Sequence, residues 1–331
     1  MLVTPDIDRR NRNHAFVIAS ATALMCGIIG WFYHLVYLAW ALCPFIYWFF
    51  RRRCLRRLWI MKQPFPASWE EVLQIHVAFF RVLSDDQKER FRHMVSIFLD
   101  EVRITGIQTG VDDAIRVLVA ASAIIPIFGF HDWDYHLLGE VLIYPSPFGD
   151  EYQTIGKNRN TLGLVGLHKF SGIMILSKPD LLAGFDSSLT KDNVGIHEFA
   201  HMVEEEEVKY GLPPEVPWQA VKHWVSYVGQ ELAQHKDRSF LRNYAYTNDH
   251  EFFAVLAEYF FKSPELLKEK DPELYKILQE LFHQDTVSMM KLAFSPNLKY
   301  RQNDLCPCVS GKKYKECCLS KPIDTTPRLK S

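Results

Sequence analysis

The amino-acid sequence predicts a helix-rich α+β domain with a small sheet. It also predicts an N-terminal transmembrane helical hairpin before that domain and a small cysteine-rich knuckle after it. Three observations carry this. An uncharged run from Ala15 to Phe50 is flanked by arginines on both sides. Stretches with helical periodicity alternate with short apolar runs through the middle of the chain. Cys306, Cys308, Cys317 and Cys318 crowd near the C-terminus.

The 331 residues allow one large domain plus appendages. A net charge of −1 excludes a protein held to nucleic acid by a global basic excess. Of seven cysteines, Cys26, Cys43 and Cys54 lie in or beside the apolar N-terminus and four lie in the tail. None falls between Cys54 and Cys306, so the main domain has no disulfide framework and a reducing compartment is expected.

The run from Ala15 to Phe50 contains no Asp, Glu, Lys or Arg. It exceeds the roughly 20 residues of a single crossing and suits two short helices, 15–32 and 34–50, joined near Gly30–His34. Arg9, Arg10 and Arg12 precede it, and Arg51, Arg52, Arg53, Arg56 and Arg57 follow it. Positive flanks prefer the cytoplasmic side, so a re-entering hairpin satisfies both. A single tilted crossing followed by an interfacial helix is the alternative. A cleaved signal peptide would have a shorter core and a small-residue cleavage site. The expected divisions are an anchor over 1–60, a catalytic domain over 61–290, the knuckle over 300–320 and a flexible tail over 321–331.

In the body of the chain, residues 68–103 and 111–125 carry helical periodicity, with Ser84-Asp85-Asp86 as a cap. EVLIYPSPF (140–148) reads as a strand entering a turn, and GIMILS (172–177) as a second strand. A helix starts near Asp192 or Asn193, buries Ile196, Phe199, Ala200 and Val203, and ends at Gly211-Leu212-Pro213-Pro214.

That helix contains His-Glu-x-x-His: His197, Glu198 and His201. Positions i and i+4 lie about 6 Å apart along a helix axis and about 40° apart around it, so two imidazoles can share one Zn²⁺. Glu198 is rotated about 100° from His197 and suits a general base acting on a water. The competing reading is a solvated face that happens to carry two histidines. A third ligand is available downstream, where Asn248 and Asp249 cap a helix burying Phe253, Leu256, Ala257 and Phe260. Glu251 and Glu258 lie near one line of that helix, and an apolar setting makes an unpaired carboxylate expensive. Either is a candidate ligand on this reasoning.

Taken together, EVLIYPSPF, NVGIHEFAH (193–201) and YAYTNDHEFFAVLAEYFFKSPELL (244–267) resemble the Mlc titration factor A family of zinc peptidases. The resemblance runs from about Pro64 to Asp285. It implies a zincin-type metallopeptidase domain similar to the anthrax lethal factor protease fold, with aminopeptidase-type activity reported in the family. It further implies His197, His201 and Glu251 as ligands of a catalytic zinc and Glu198 as base. Glu258 is then a residue steadying a ligand histidine, or the alternative ligand. Tyr244 matches the tyrosine that such sites aim at the oxyanion, with Tyr246 as the fallback. The strand at 172–177 is expected either to offer its edge to an extended substrate or to lie inside the sheet.

The tail reads NDLCPCVSGKKYKECC over 303–318 and resembles the SEC-C motif. Four thiolates, Cys306, Cys308, Cys317 and Cys318, suit a second, structural zinc. Lys312, Lys313 and Lys315 offset the charge of that thiolate set. The acidic run Glu204–Glu207 reads as a solvated face, and His131, His136 and His168 as structural.

The expected function is a membrane-anchored zinc-dependent peptidase at the cytoplasmic face of a bacterial inner membrane. The alternative is a protein that sequesters a regulator there, with vestigial hydrolysis. Expected partners are a peptide or protein substrate, membrane lipid, and a transcription regulator or a secretion- or ribosome-associated protein; no direct nucleic-acid contact is expected.

Overall fold

The computed structural model describes residues 1–33, 36–146, 163–165, 172–186, 192–234, 241, 243–293 and 315. The chain divides into two compact units, Met1–Phe65 and Pro66–Ser331.

The first unit is a helical hairpin of α1 (Pro5–Tyr33) and α2 (Val36–Ile60). The helices run antiparallel. Arg57 donates to the carbonyl of Met1 at 2.9 Å, and Arg51 pairs with Asp8 at 2.6 Å. Further along, the Cys43 thiol donates to the carbonyl of Ala19 at 3.5 Å. Small side chains such as Ala15 and Ala19 are buried, while Phe16, Val17, Leu24, Met25, Phe45 and Trp48 point outward.

The hairpin therefore exists, but its expected bilayer crossing does not stand. No helix among the described residues is long and apolar enough to cross a membrane. The uncharged run is divided between the two helices. The opening of α1 carries Asp6, Asp8, Arg9, Arg10 and Arg12, and the closing turns of α2 carry Arg51, Arg52, Arg53, Arg56 and Arg57. The part of α2 before Arg51 begins only at Val36, contains Pro44, and falls short of the roughly 20 residues a crossing needs. This overturns the transmembrane hairpin and the inner-membrane location drawn from it.

The second unit contains, in chain order, α3 (Ala67–His76), α4 (Ala78–Arg81), α5 (Asp85–Glu101), β1 (Arg103–Gly106), α6 (Asp113–Ile127), β2 (Glu140–Tyr144), β3 (Gly163–Val165) and β4 (Ile173–Ser177). There follow α7 (Lys178–Phe185), α8 (Val194–Tyr210), α9 (Trp218–Gln234), a 3-10 turn (Asn243–Tyr246), α10 (Asp249–Lys262), α11 (Pro264–Lys270), α12 (Pro272–Leu281) and α13 (Thr286–Ala293).

The helical stretch expected over 68–103 is cut twice. Val77 adopts φ −99°, ψ 94° between α3 and α4. Ser84 then caps α5, with a reciprocal bond between its backbone N–H and the Gln87 side chain. The end of that stretch becomes β1, which periodicity did not reveal.

The sheet order is β1-β2-β4-β3. β1 pairs with β2, and β2 with β4, in parallel; β3 pairs antiparallel to β4. β4 is thus an interior strand, the second of the two expectations for it, and its edges are occupied by β2 and β3. Its Met174, Ile175, Leu176 and Ser177 are all buried, as expected of a strand covered on both faces.

α6 is buried along almost its whole length and packs against α3, α5 and α8. Its approach to α8 depends on Gly195. A Cβ at that position would lie 2.1 Å from the Ser122 hydroxyl oxygen, so only glycine admits this contact. The close approach occurs two residues before His197 and seats the start of α8 against the core.

Candidate metal centre

α8 begins where Asn193 accepts a hydrogen bond from the Ile196 N–H at 3.0 Å. Asparagine is a favoured cap because its side-chain oxygen satisfies an otherwise orphaned amide. The same side chain donates to the carbonyl of Gly184 at 3.0 Å. The predicted stripe of Ile196, Phe199, Ala200 and Val203 is buried. His197 and His201 project one turn apart from the neighbouring face, their ring centroids 4.9 Å apart and their planes nearly perpendicular.

α10 packs against α8. Asn248 caps it by accepting from the Glu251 N–H at 2.9 Å, which fixes Glu251 in the first turn. The Glu251 carboxylate reaches His197 Nε2 at 3.1 Å and His201 Nε2 at 3.6 Å. Glu258, two turns on, sits behind the imidazole: its Oε1 lies 2.8 Å from His197 Nδ1. Its Oε2 accepts from the backbone N–H of Asn193 at 2.5 Å. Among the described residues, His197, His201 and Glu251 form a cluster whose ligand atoms all lie within 4.8 Å of one another.

This donor set fits a divalent zinc. Ligands held about 2.0–2.1 Å from one tetrahedral ion lie roughly 3.4 Å apart, and the two imidazoles stand at comparable distances, 3.1 Å from Oε2 and 3.6 Å from Oε1 of the Glu251 carboxylate. Because Glu258 engages Nδ1 of His197, Nε2 is the nitrogen that faces the cluster. Three such donors around a tetrahedral ion would leave a fourth position for solvent or substrate.

In the metal-free chain the imidazoles and carboxylates answer one another's charge. Burial alone would depress His197, but hydrogen bonds to Glu251 and Glu258 win, and its pKa is pushed up to about 10. Burial likewise would raise Glu251, yet the two imidazoles hold its carboxyl well below the usual range. Glu198, 5% exposed, is pushed upward chiefly by burial, with the two imidazoles pulling the other way.

A pH dependence follows for the metal-free chain. The stabilisation from protonating His197 is fully present below its ordinary value of 6.5 and is lost as pH rises through about 10. The thermal midpoint of chelator-treated protein should therefore decline across that window. A His197→Gln variant should show a flatter profile in the same scan.

Other predicted residues fall as follows. Tyr244 lies in the 3-10 turn before α10, but its side chain is outside the described residues. The fallback, Tyr246, packs its ring against Phe252 at 5.7 Å. Cys306, Cys308, Cys317, Cys318 and His168 also lie outside the described residues. His131 and His136 pair with Glu215 and Glu206 at 3.0 and 3.3 Å.

The acidic run is not a uniformly solvated face. Glu206 is 1% exposed and accepts from the Leu137 N–H at 2.7 Å, while Glu204 meets His250 Nδ1 at 2.9 Å. The latter braces the residue beside Glu251. Sequence reasoning also missed Asn193 and Lys262 as parts of the network behind His197; only the helix-cap signal at Asn193 pointed there.

The chain is similar to known proteins over most of its length. The profile of the family described as glucose-regulated metallo-peptidase M90 matches residues 49–283, and the SEC-C motif matches residues 303–320. The chain is 27% identical over 265 residues to Mlc titration factor A of Pectobacterium atrosepticum, covering 73% of this chain and 96% of that one. It is 29% identical over 266 residues to Mlc titration factor A of Yersinia enterocolitica, covering 71% and 92%. An uncharacterised protein of Synechocystis is 24% identical over 238 residues, covering 67% and 86%.

Proposed function

Since this chain belongs to the glucose-regulated metallo-peptidase M90 family, we propose that it is a zinc-dependent peptidase that uses Glu198 as general base. The observation that carries this reading is the convergence of two imidazoles and one carboxylate beside a buried glutamate. His197, His201 and Glu251 would hold the metal. When bound, zinc polarises the scissile carbonyl and acidifies a water.

The chain's own groups account for the remaining steps. Glu251 balances the charge of the cation. Glu258 keeps His197 in the tautomer that presents Nε2. Glu198 takes a proton from the attacking water and passes it to the departing amine nitrogen as the peptide bond breaks. Tyr244 donates its phenol hydrogen to the oxyanion. In the tail, Cys306, Cys308, Cys317 and Cys318 would hold a second, structural zinc and form a docking knuckle.

Dialysis against a strong chelator should abolish peptide hydrolysis, and one added equivalent of Zn²⁺ at the catalytic site should restore it. Hydrolysis that persists in fully demetallated protein would sink the proposal.

A second reading is favoured by the relatives named Mlc titration factor A. It casts this chain as a protein that binds a transcription regulator, with peptide hydrolysis secondary. Regulator binding that survives loss of Glu198 would separate this role from the first.

A further inference from the structure

Lys262 follows Glu258 by one turn on α10. Its ammonium donates to the carbonyl of Gly184 at 2.8 Å and to the carbonyl of Asp192 at 2.9 Å. The Asp192 carbonyl and the Asn193 N–H belong to one peptide group. That N–H donates to Glu258 Oε2 at 2.5 Å, and the other oxygen of Glu258 holds His197 Nδ1 at 2.8 Å. A peptide group is planar, with its carbonyl and N–H pointing in opposite directions. Two side chains of one helix face thus grip both ends of a single rigid plane. Gly184 ties the arrangement further, because its carbonyl accepts from both Lys262 and the Asn193 side chain.

We propose that Lys262 is a positioning residue for the metal centre, acting through the Asp192–Asn193 peptide and Glu258 on His197. An ammonium on the carbonyl draws electron density from the amide and strengthens its N–H as a donor. That donor fixes the rotation of the Glu258 carboxylate, and Glu258 in turn fixes the imidazole ring. Without Lys262 the peptide is free to tilt, Glu258 loses a defined orientation, and Nε2 no longer faces the cluster in a single pose. Groups bonded directly to a ligand histidine, as Glu258 is, typically contribute about 10–100-fold in metal affinity, and Lys262, acting through Glu258, is expected at the lower end of that range.

Lys262, Asn193 and Gly184 also border a cavity of about 420 Å³. An uncharged side chain of similar length at 262 therefore meets open space rather than a tight wall.

The inference rests on the reading of His197, His201 and Glu251 as metal ligands, and the test separates the two. The probe is cobalt(II), titrated into the full-length metal-free chain. Cobalt held by thiolates gives an intense charge-transfer band, and cobalt held by nitrogen and oxygen does not, so the two sites are read independently. Lys262→Met should weaken the nitrogen–oxygen site by about 10-fold or more and leave the thiolate site unchanged. Lys262→Arg, which keeps a donor cation, should recover most of that affinity. If Lys262→Met yields too little folded chain, Lys262→Gln gives the same comparison.

A purely structural role would lower the thermal midpoint without changing cobalt affinity, and would overturn the inference. Equal loss in Lys262→Met and Lys262→Arg would also overturn it. Absence of any nitrogen–oxygen site in the unaltered chain would remove the metal reading itself, and this inference with it.

Discussion

Replacing Glu198 with Gln should lower peptide hydrolysis by about 10²–10⁴-fold while leaving the metal content unchanged. The amide is nearly the same size as the carboxylate, so the buried site keeps its packing. It cannot accept a proton from water, however, and that proton transfer is the step proposed for the residue. Glu198 is not one of the three clustered residues that could hold the metal, which is why metal content and activity should separate. The assay pairs single-turnover cleavage of a labelled peptide with metal analysis of the same sample. Unchanged cleavage would remove Glu198 from the mechanism, and loss of the metal as well would mean that it acts as a ligand.

Replacing His197 with Ala has a different and broader consequence. One metal equivalent should be lost while the tail site keeps its own. Stability should also fall by about 3–5 kcal/mol, because the Glu258 side chain is only 2% exposed and loses the imidazole that pairs with it. The measurement is a denaturant titration of metal-free protein, so that the loss of bound zinc does not contribute. Adding Glu258→Gln to the same chain should recover part of the loss, since a neutral amide tolerates burial better than a carboxylate that has lost its imidazole. Stability equal to that of the unaltered chain would show that Glu258 finds another partner or is not charged.

Much of this centre was legible from local signals. Asn193 and Asn248 are strong helix caps, Gly211 ends α8, and the spacing of His197 and His201 follows from helix geometry alone. The buried stripes of α8 and α10 were readable for the same reason. Which carboxylate meets which nitrogen was not. Glu251 and Glu258 share a helix face, and only the packing of α10 against α8 sets one on Nε2 and the other on Nδ1.

β1 and β3 were missed because each is only a few residues long, too short to show an alternating pattern. The N-terminal error had another cause. Composition marked a continuous uncharged run, whereas the helices begin and end beyond it and draw the flanking charges into their own turns. The peptide held between Lys262 and Glu258 carries no sequence signature, because backbone groups do the recognising.

Successive residues of an α-helix turn by about 100°, so four neighbours sweep most of its circumference. Glu204 to Glu207 are identical letters, but they cannot share an environment. One anchors a distant loop from inside the protein, another reaches towards α10, and their neighbours turn to other sides. Chemical sameness along the chain thus becomes a division of labour in space, and substitution tables that score these positions alike will misjudge Glu206.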